Sequence, residues 1–310
     1  MYWISMNNIT VFEEHELLSN WFVDEPLISI VCTSYNHELF IRDALNGFFG
    51  QITKYPFEVI IHDDASTDDT QEIIKEYVDK YPKIITPILQ LENQWMGKGI
   101  SGTTKFAFPA ARGKYIAWCE GDDYWTDSNK LQKQIDFLEN NSEYNLVGHH
   151  ATDSNSKLIG KHEKDSFSFE DIYYRTLIIP TASLVFRNNI VFEDWITKVY
   201  GGDKAIIFLN AKKGKLKILP FLGSFYRLHS GGIEQLYKDD LRKSVRNINE
   251  YIIYYNMIKK LPKSIELRKK IIKNHIDIIL YCVYTFRFQY LIKAPYSLFL
   301  FLIKGRVYIN

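Results

Sequence analysis

Three cysteines in 310 residues leave little material for a disulfide framework. Cys32, Cys119 and Cys282 are odd in number, far apart and not in a zinc-clamping spacing, so the chain suits a reducing compartment. Net charge is equally scarce. The balance of 38 basic and 37 acidic residues is +1, which gives the whole molecule no electrostatic case for nucleic acid. Long hydrophobic runs are missing too. The longest uncharged stretch near the C-terminus, Ala294 to Ile303, falls short of the ~20 residues needed to span a bilayer. The opening residues MYWISMNNIT lack the basic start and apolar centre of a signal peptide. What remains is ordinary globular composition, 46% hydrophobic and 24% charged, at a length that suits one large domain or two smaller ones.

The charge is unevenly spread. From Leu241 to Asn310 there are 14 Lys or Arg against three acids, Glu250, Glu266 and Asp277. The first 240 residues therefore hold 24 bases against 34 acids. A basic tail on an acidic body suggests an anionic partner for the tail. Arg268, Lys269, Lys270 and Lys273 are followed there by Tyr281, Tyr284, Phe286, Phe288 and further aromatics. That mixture suits the surface of an anionic bilayer, and equally a helical bundle packed on the rest of the chain.

Hydrophobic patterning predicts alternating strands and helices. Strands are expected at Leu27–Thr33, Phe57–His62, Ile84–Leu89, Tyr115–Cys119 and Leu146–His149. Helices are expected at Leu39–Phe49, with Asn36 or His37 as cap, at Ser66–Tyr81, at Thr103–Ala111 and at Lys130–Asn140. This alternation implies a parallel α/β sheet, whose ligands bind beyond the carboxyl ends of the strands. Later, Thr181–Phe186 and Leu216–Arg227 read as strands flanking a helix at Asp203–Lys213, and the chain is helical from about Leu236.

Two strands end in acids. FEVIIHDD closes on Asp63 and Asp64, and YIAWCEGDDYW on Glu120, Asp122 and Asp123. Acids rarely stand at the mouth of an apolar strand unless something offsets their desolvation, and a divalent cation is the usual partner. The pair Asp63–Asp64 on its own reads as a solvated turn with a helix cap. For the second cluster a solvated loop fits less well, because Trp118, Tyr124 and Trp125 surround it with apolar surface.

The ordered set T-S-Y-N-H (33–37), E-V-I-I-H-D-D-A-S-T-D (58–68), E-G-D-D-Y-W (120–125) and Y-R-x-H (226–229) resembles the family 2 glycosyltransferases over roughly residues 27 to 232. The resemblance implies a GT-A fold, an α/β nucleotide-diphospho-sugar transferase with a mixed, mainly parallel sheet flanked by helices. It would occupy residues 1–235, with a basic, aromatic helical extension at 236–310. It also implies that Thr33, Tyr35, Asn36 and Asp64 contact the nucleotide and Arg227 a phosphate. Asp122 and Asp123, with Glu120 and His229, would hold Mn²⁺ or Mg²⁺ against the diphosphate, where Gly121 leaves room for close approach. Glu120 departs from the usual first Asp of the motif, and Ala65 stands where many members have Gly. Asp203, after Gly201-Gly202, would be the catalytic base, although Asp before a helix is equally an N-cap. Asp194 and Glu193 are weaker candidates for the base, and Lys98 reads as a loop lysine.

The implied reaction is inverting transfer of one hexose, glucose or galactose first, from a UDP-sugar to a sugar hydroxyl. The acceptor expected is a lipid-diphosphate saccharide of the undecaprenyl diphosphate GlcNAc type, in O-antigen or capsule synthesis. The enzyme would lie in the cytoplasm, peripheral on the inner membrane, with no nucleic-acid partner. A sugar nucleotidyltransferase would need a glycine-rich phosphate loop after the first strand, which Thr33-Ser34-Tyr35-Asn36 is not. A non-catalytic nucleotide-sugar-binding protein of the same fold is the rival from a different class.

Overall fold

The computed structural model describes residues 9–21, 23, 25–95, 102–172, 177–192, 195–196, 202–232, 241–261, 264–284, 295, 297–298 and 301–302. For 241–247, 249 and 281–284 the description is of backbone alone. The strands are β1 (Ile28–Ser34), β2 (Phe57–Asp63), β3 (Ile85–Leu89), β4 (Tyr115–Glu120), β5 (Tyr124–Trp125), β6 (Tyr144–Asp153), β7 (Leu158–Ile159), β8 (Ser166–Phe167), β9 (Val185–Arg187) and β10 (Lys215–Tyr226). The α-helices are α1 (Glu14–Ser19), α2 (Ile41–Phe49), α3 (Thr70–Lys80), α4 (Phe108–Ala110), α5 (Lys130–Asn140), α6 (Phe169–Ile172), α7 (Gly202–Lys213), α8 (Leu241–Ile258) and α9 (Ser264–Tyr284).

The strands form one sheet in the order β3-β2-β1-β4-β9-β6-β10-β5, with β7 on β6 and β8 on β10. Strands β3, β2, β1 and β4 run parallel, as do β6 and β10, whereas β9 is antiparallel to both β4 and β6. The sheet is thus mixed and mainly parallel. β2 is buried at all seven residues, as expected of a central strand covered on both faces. Helix α2 presents Ile41, Ala44, Leu45 and Phe48 at helical spacing, each fully buried in the core shared by β1, β2, β4 and α5. Phe48 meets Trp125 edge-on at 4.7 Å, which ties α2 to the segment just past the acidic loop.

Three expectations are corrected. Helix α2 starts at Phe40 without a side-chain cap, and the carbonyl of His37 accepts the Phe40 and Ile41 N–H groups instead. Residues 181–183 form a 3₁₀ turn ahead of the short antiparallel β9, not one continuous strand. The stretch expected as a helix at 103–111 opens as a π-helical turn, Thr103–Ala107.

The chain divides into two compact units. The first holds Met1–Ser168, Ile178–Phe192 and Leu209–Arg227, and so carries the whole sheet. The second holds Phe169–Leu177, Glu193–Phe208 and Leu228–Asn310, including α8 packed on α9. Among the described residues no helix is long and apolar enough to cross a membrane.

Candidate active site

The parallel strands place their chemistry at one edge. Register pairs Ser34 with Asp63 across β1 and β2, and Thr33 with Glu120 across β1 and β4. Backbone bonds extend both rows past the strands, from Asp64 N–H to Ser34 carbonyl (3.0 Å) and from Gly121 N–H to Thr33 carbonyl (2.9 Å). Acids at the ends of β2 and β4 therefore lie at the carboxyl edge of a sheet, where α/β folds bind ligands.

At the end of β4, Glu120, Asp122 and Asp123 bring carboxylate oxygens within 4.8 Å of one another. Asp123 is 1% exposed. Its Oδ1 accepts the Arg227 N–H at 2.8 Å, while Oδ2 is buried without a hydrogen-bond partner. Burial pushes the Asp123 carboxyl well above the usual carboxylate range, and the Asp122 charge beside it pushes further. A buried oxygen with no donor, next to two more carboxylates, is a poor resting place for three negative charges. It is a good one for a hard divalent cation, which prefers oxygen ligands. The residues present thus fit Mg²⁺ or Mn²⁺.

Arg227 holds this loop from behind. Its guanidinium donates to the Asp122 carbonyl and to Asp43 Oδ2, both at 2.7 Å. The same group lies 4.7 Å from the Phe40 ring centre and 5.0 Å from that of Tyr124. Arg227 thus ties the acidic loop to α2. Gly121 is likewise needed for packing. A Cβ there would meet Ile41 Cδ1 at 2.8 Å, His37 Nδ1 at 3.0 Å and Ser34 Cβ at 3.3 Å.

The end of β2 is built differently. Buried Asp63 accepts from Ser34 Oγ, Ser66 N–H, Ser66 Oγ and Gln71 Nε2. Asp64 is 7% exposed, and its two oxygens accept the N–H groups of Gln94 (2.8 Å) and Trp95 (3.0 Å). Asn36, in the left-handed region at φ 54°, accepts the Thr67 N–H through Oδ1 and donates its own N–H to Ser66. Ala65 also takes a left-handed φ of 62°, a conformation that favours glycine and explains the usual family residue there. Thr33 and Tyr35 are half-buried at the end of β1.

Asp203 is half-buried in the first turn of α7, one residue inside the helix, and belongs to the second unit. His229 also belongs to the second unit. Glu193, Asp194 and Lys98 lie outside the described residues. Two residues escaped the sequence reading as parts of the site. His37, read as a cap, brings Nε2 to 3.8 Å from Asp122 Oδ2. Asp43 anchors Arg227, but an acid in the first turn of α2 looks in sequence like an ordinary answer to the helix dipole.

Comparisons with known proteins agree with this geometry. The solved structure of S. aureus TarS residues 1–349 in complex with UDP-GlcNAc matches with a TM-score of 0.59, at 18% identity over 81% of this chain and 72% of that one. That is a likeness of fold, and the fold is GT-A. The chain belongs to glycosyl transferase family 2, whose sequence profile matches residues 29–199. Protein Rv1520 of Mycobacterium tuberculosis is 38% identical over 226 residues, 70% of this chain. The matched region spans only 63% of that relative's length. The E. coli UDP-Glc:alpha-D-GlcNAc-diphosphoundecaprenol beta-1,3-glucosyltransferase WfaP is 26% identical over 276 residues, 87% of this chain and 96% of that protein.

Proposed function

We propose that this glycosyltransferase moves one hexose from a UDP-sugar to a sugar hydroxyl of a lipid-diphosphate-linked acceptor, with inversion at the anomeric carbon. The observation that carries the reading is the three-carboxylate cluster after β4, with its unpartnered buried oxygen on Asp123. Asp122 and Asp123, with Glu120, would hold Mn²⁺ or Mg²⁺. Bound there, the ion neutralises the charge that builds on a departing nucleoside diphosphate. Thr33 and Tyr35 flank the nucleotide, and Asp64 lies beside them at the end of β2. Asp203 takes the proton of the acceptor hydroxyl as that oxygen attacks the anomeric carbon and the bond to the diphosphate oxygen breaks. His229 is the further residue proposed to hold the ion or to bind the diphosphate. Residues 1–235 form the catalytic part.

The acceptor class follows WfaP, which resembles this chain along nearly its full length and whose name specifies a diphosphoundecaprenol GlcNAc acceptor and UDP-Glc. Glucose is accordingly the first donor to test and galactose the second. The product belongs to a surface polysaccharide, of O-antigen or capsule type. The basic, aromatic extension after residue 235 supports peripheral contact with the cytoplasmic face of the inner membrane. The test is a panel of UDP-sugars with a synthetic lipid-diphosphate GlcNAc acceptor, read by UDP release and product mass. One UDP-hexose should turn over, EDTA should abolish it, and added Mn²⁺ or Mg²⁺ should restore it. Turnover undiminished after thorough chelation overturns the metal assignment.

A further inference from the structure

His37 reaches the acidic loop from a different part of the chain. It stands in the connection between β1 and α2, and the reaction scheme gives it no part. Its backbone is held on both sides. The N–H donates to Thr70 Oγ1 at the start of α3 (2.8 Å), and the carbonyl accepts the N–H groups of Phe40 and Ile41. The residue before it, Asn36, is tied in turn to Ser66 and Thr67. A side chain on so fixed a backbone has few positions open to it, and this one is 15% exposed. Its Nδ1 edge lies against Gly121, where a Cβ would approach to 3.0 Å. Its Nε2 stands 3.8 Å from Asp122 Oδ2.

That separation is informative. At 3.8 Å the nitrogen and oxygen are too far apart for a hydrogen bond. Two ligands of one six-coordinate ion, with bonds of about 2.1 Å, lie about 3 Å apart when adjacent and about 4.2 Å apart when opposed. The His37–Asp122 pair falls between these limits. Asp122 also belongs to the carboxylate cluster in which Asp123 Oδ2 is buried without a partner. A fourth acid beside that cluster would add negative charge facing a diphosphate. An imidazole adds a ligand and no charge.

We propose that His37 is a nitrogen ligand of the divalent cation, binding through Nε2 beside Asp122, and that it tilts the site from Mg²⁺ towards Mn²⁺. Imidazole nitrogen suits transition-metal ions, whereas Mg²⁺ keeps to oxygen ligands. The same connection carries Tyr35, so one short segment grips both the ion and the nucleotide. The proposal rests on the reading of the carboxylate cluster as the metal site.

The experiment titrates the full-length protein with Mn²⁺ and with Mg²⁺, each in the presence of UDP, and records the electron spin-echo spectrum of the bound Mn²⁺. His37→Ala should weaken Mn²⁺ binding at least ~10-fold, the scale of losing even an outer-shell partner of a metal. Its Mg²⁺ affinity should stay within about threefold of wild type. Modulation of the Mn²⁺ signal by a ligand nitrogen should persist in His229→Ala and vanish when His37→Ala is added to it. Three results overturn His37 as a ligand and leave the carboxylate site standing: wild-type Mn²⁺ affinity in His37→Ala, no nitrogen modulation in His229→Ala, or modulation that survives in the double variant. An equal fall in affinity for both ions overturns it in favour of packing. Failure of the wild-type protein to bind either ion removes the metal reading and this inference with it. Should His37→Ala not fold, the His229→Ala spectrum decides alone.

Discussion

The ends of β2 and β4 look alike in sequence and behave as opposites in the fold. Both are apolar strands that finish in acids, and both reach the same edge of the sheet. At β2 the acids are satisfied from within: Asp63 takes four protein donors and Asp64 takes two backbone N–H groups. At β4 the acids crowd together, and one buried oxygen of Asp123 has no donor at all. The difference teaches that a carboxylate's role is set by its supply of protons to accept. A fully supplied acid builds a loop, and an undersupplied one calls for a cation.

The contrast is open to direct attack. Asp122→Asn should leave the fold intact but cut turnover about 10³-fold, since a catalytic metal contributes several kcal/mol to the transition state. Turnover by UDP release and Mn²⁺ binding by calorimetry check this together. Retained Mn²⁺ affinity would erase the distinction between the two strand ends.

A buried charge of the opposite sign extends the comparison. Lys130, at the start of α5, is fully buried with its amine unpartnered and 4.0 Å from the Trp125 ring centre. Burial lowers its pKa from 10.5 to about 7. Between those values the unfolded chain binds more protons than the folded one, so stability rises with pH across that window. Buried His149 is likewise depressed, so it adds the same slope below its ordinary 6.5. Lys130→Met should therefore stabilise the protein at pH 7 by about 4 kcal/mol, and the gain should fade towards pH 10.5. Thermal melts across that range read it out.

Asp63→Asn should have the smallest effect on free energy and the opposite character to Asp122→Asn. It should cost about 2 kcal/mol of stability, the usual loss for weakened hydrogen bonds to a buried charge. Mn²⁺ affinity should be unchanged at temperatures where the variant stays folded. Urea unfolding and the same calorimetric titration measure both halves.

Much of this was legible in the residues, and the limits are physical. Strands β1, β2 and β4 announce themselves because central parallel strands are continuously apolar. The acids past them are local in sequence and easily seen. The contact of Arg227 with Asp43 is not visible in the sequence, because the two residues lie far apart in the chain. No periodicity reports that pairing. Lys130 looks in sequence like the ordinary first residue of a helix, and only packing against Trp125 reveals it as buried. The strand expected at Thr181–Phe186 survives only in part as β9, because its first half turns as a 3₁₀ helix that an apolar run does not announce.

Gly121 has a consequence for anyone altering this enzyme. Its Cα hydrogen faces the tip of Ile41, so the permitted residue at 121 depends on the residue at 41. A library randomised at position 121 alone should be enriched in glycine, because a Cβ there makes the Ile41, His37 and Ser34 side chains give way. Pairing it with a shortened side chain at 41 should admit alanine, making these two distant positions a single unit of variation for engineering the acidic loop.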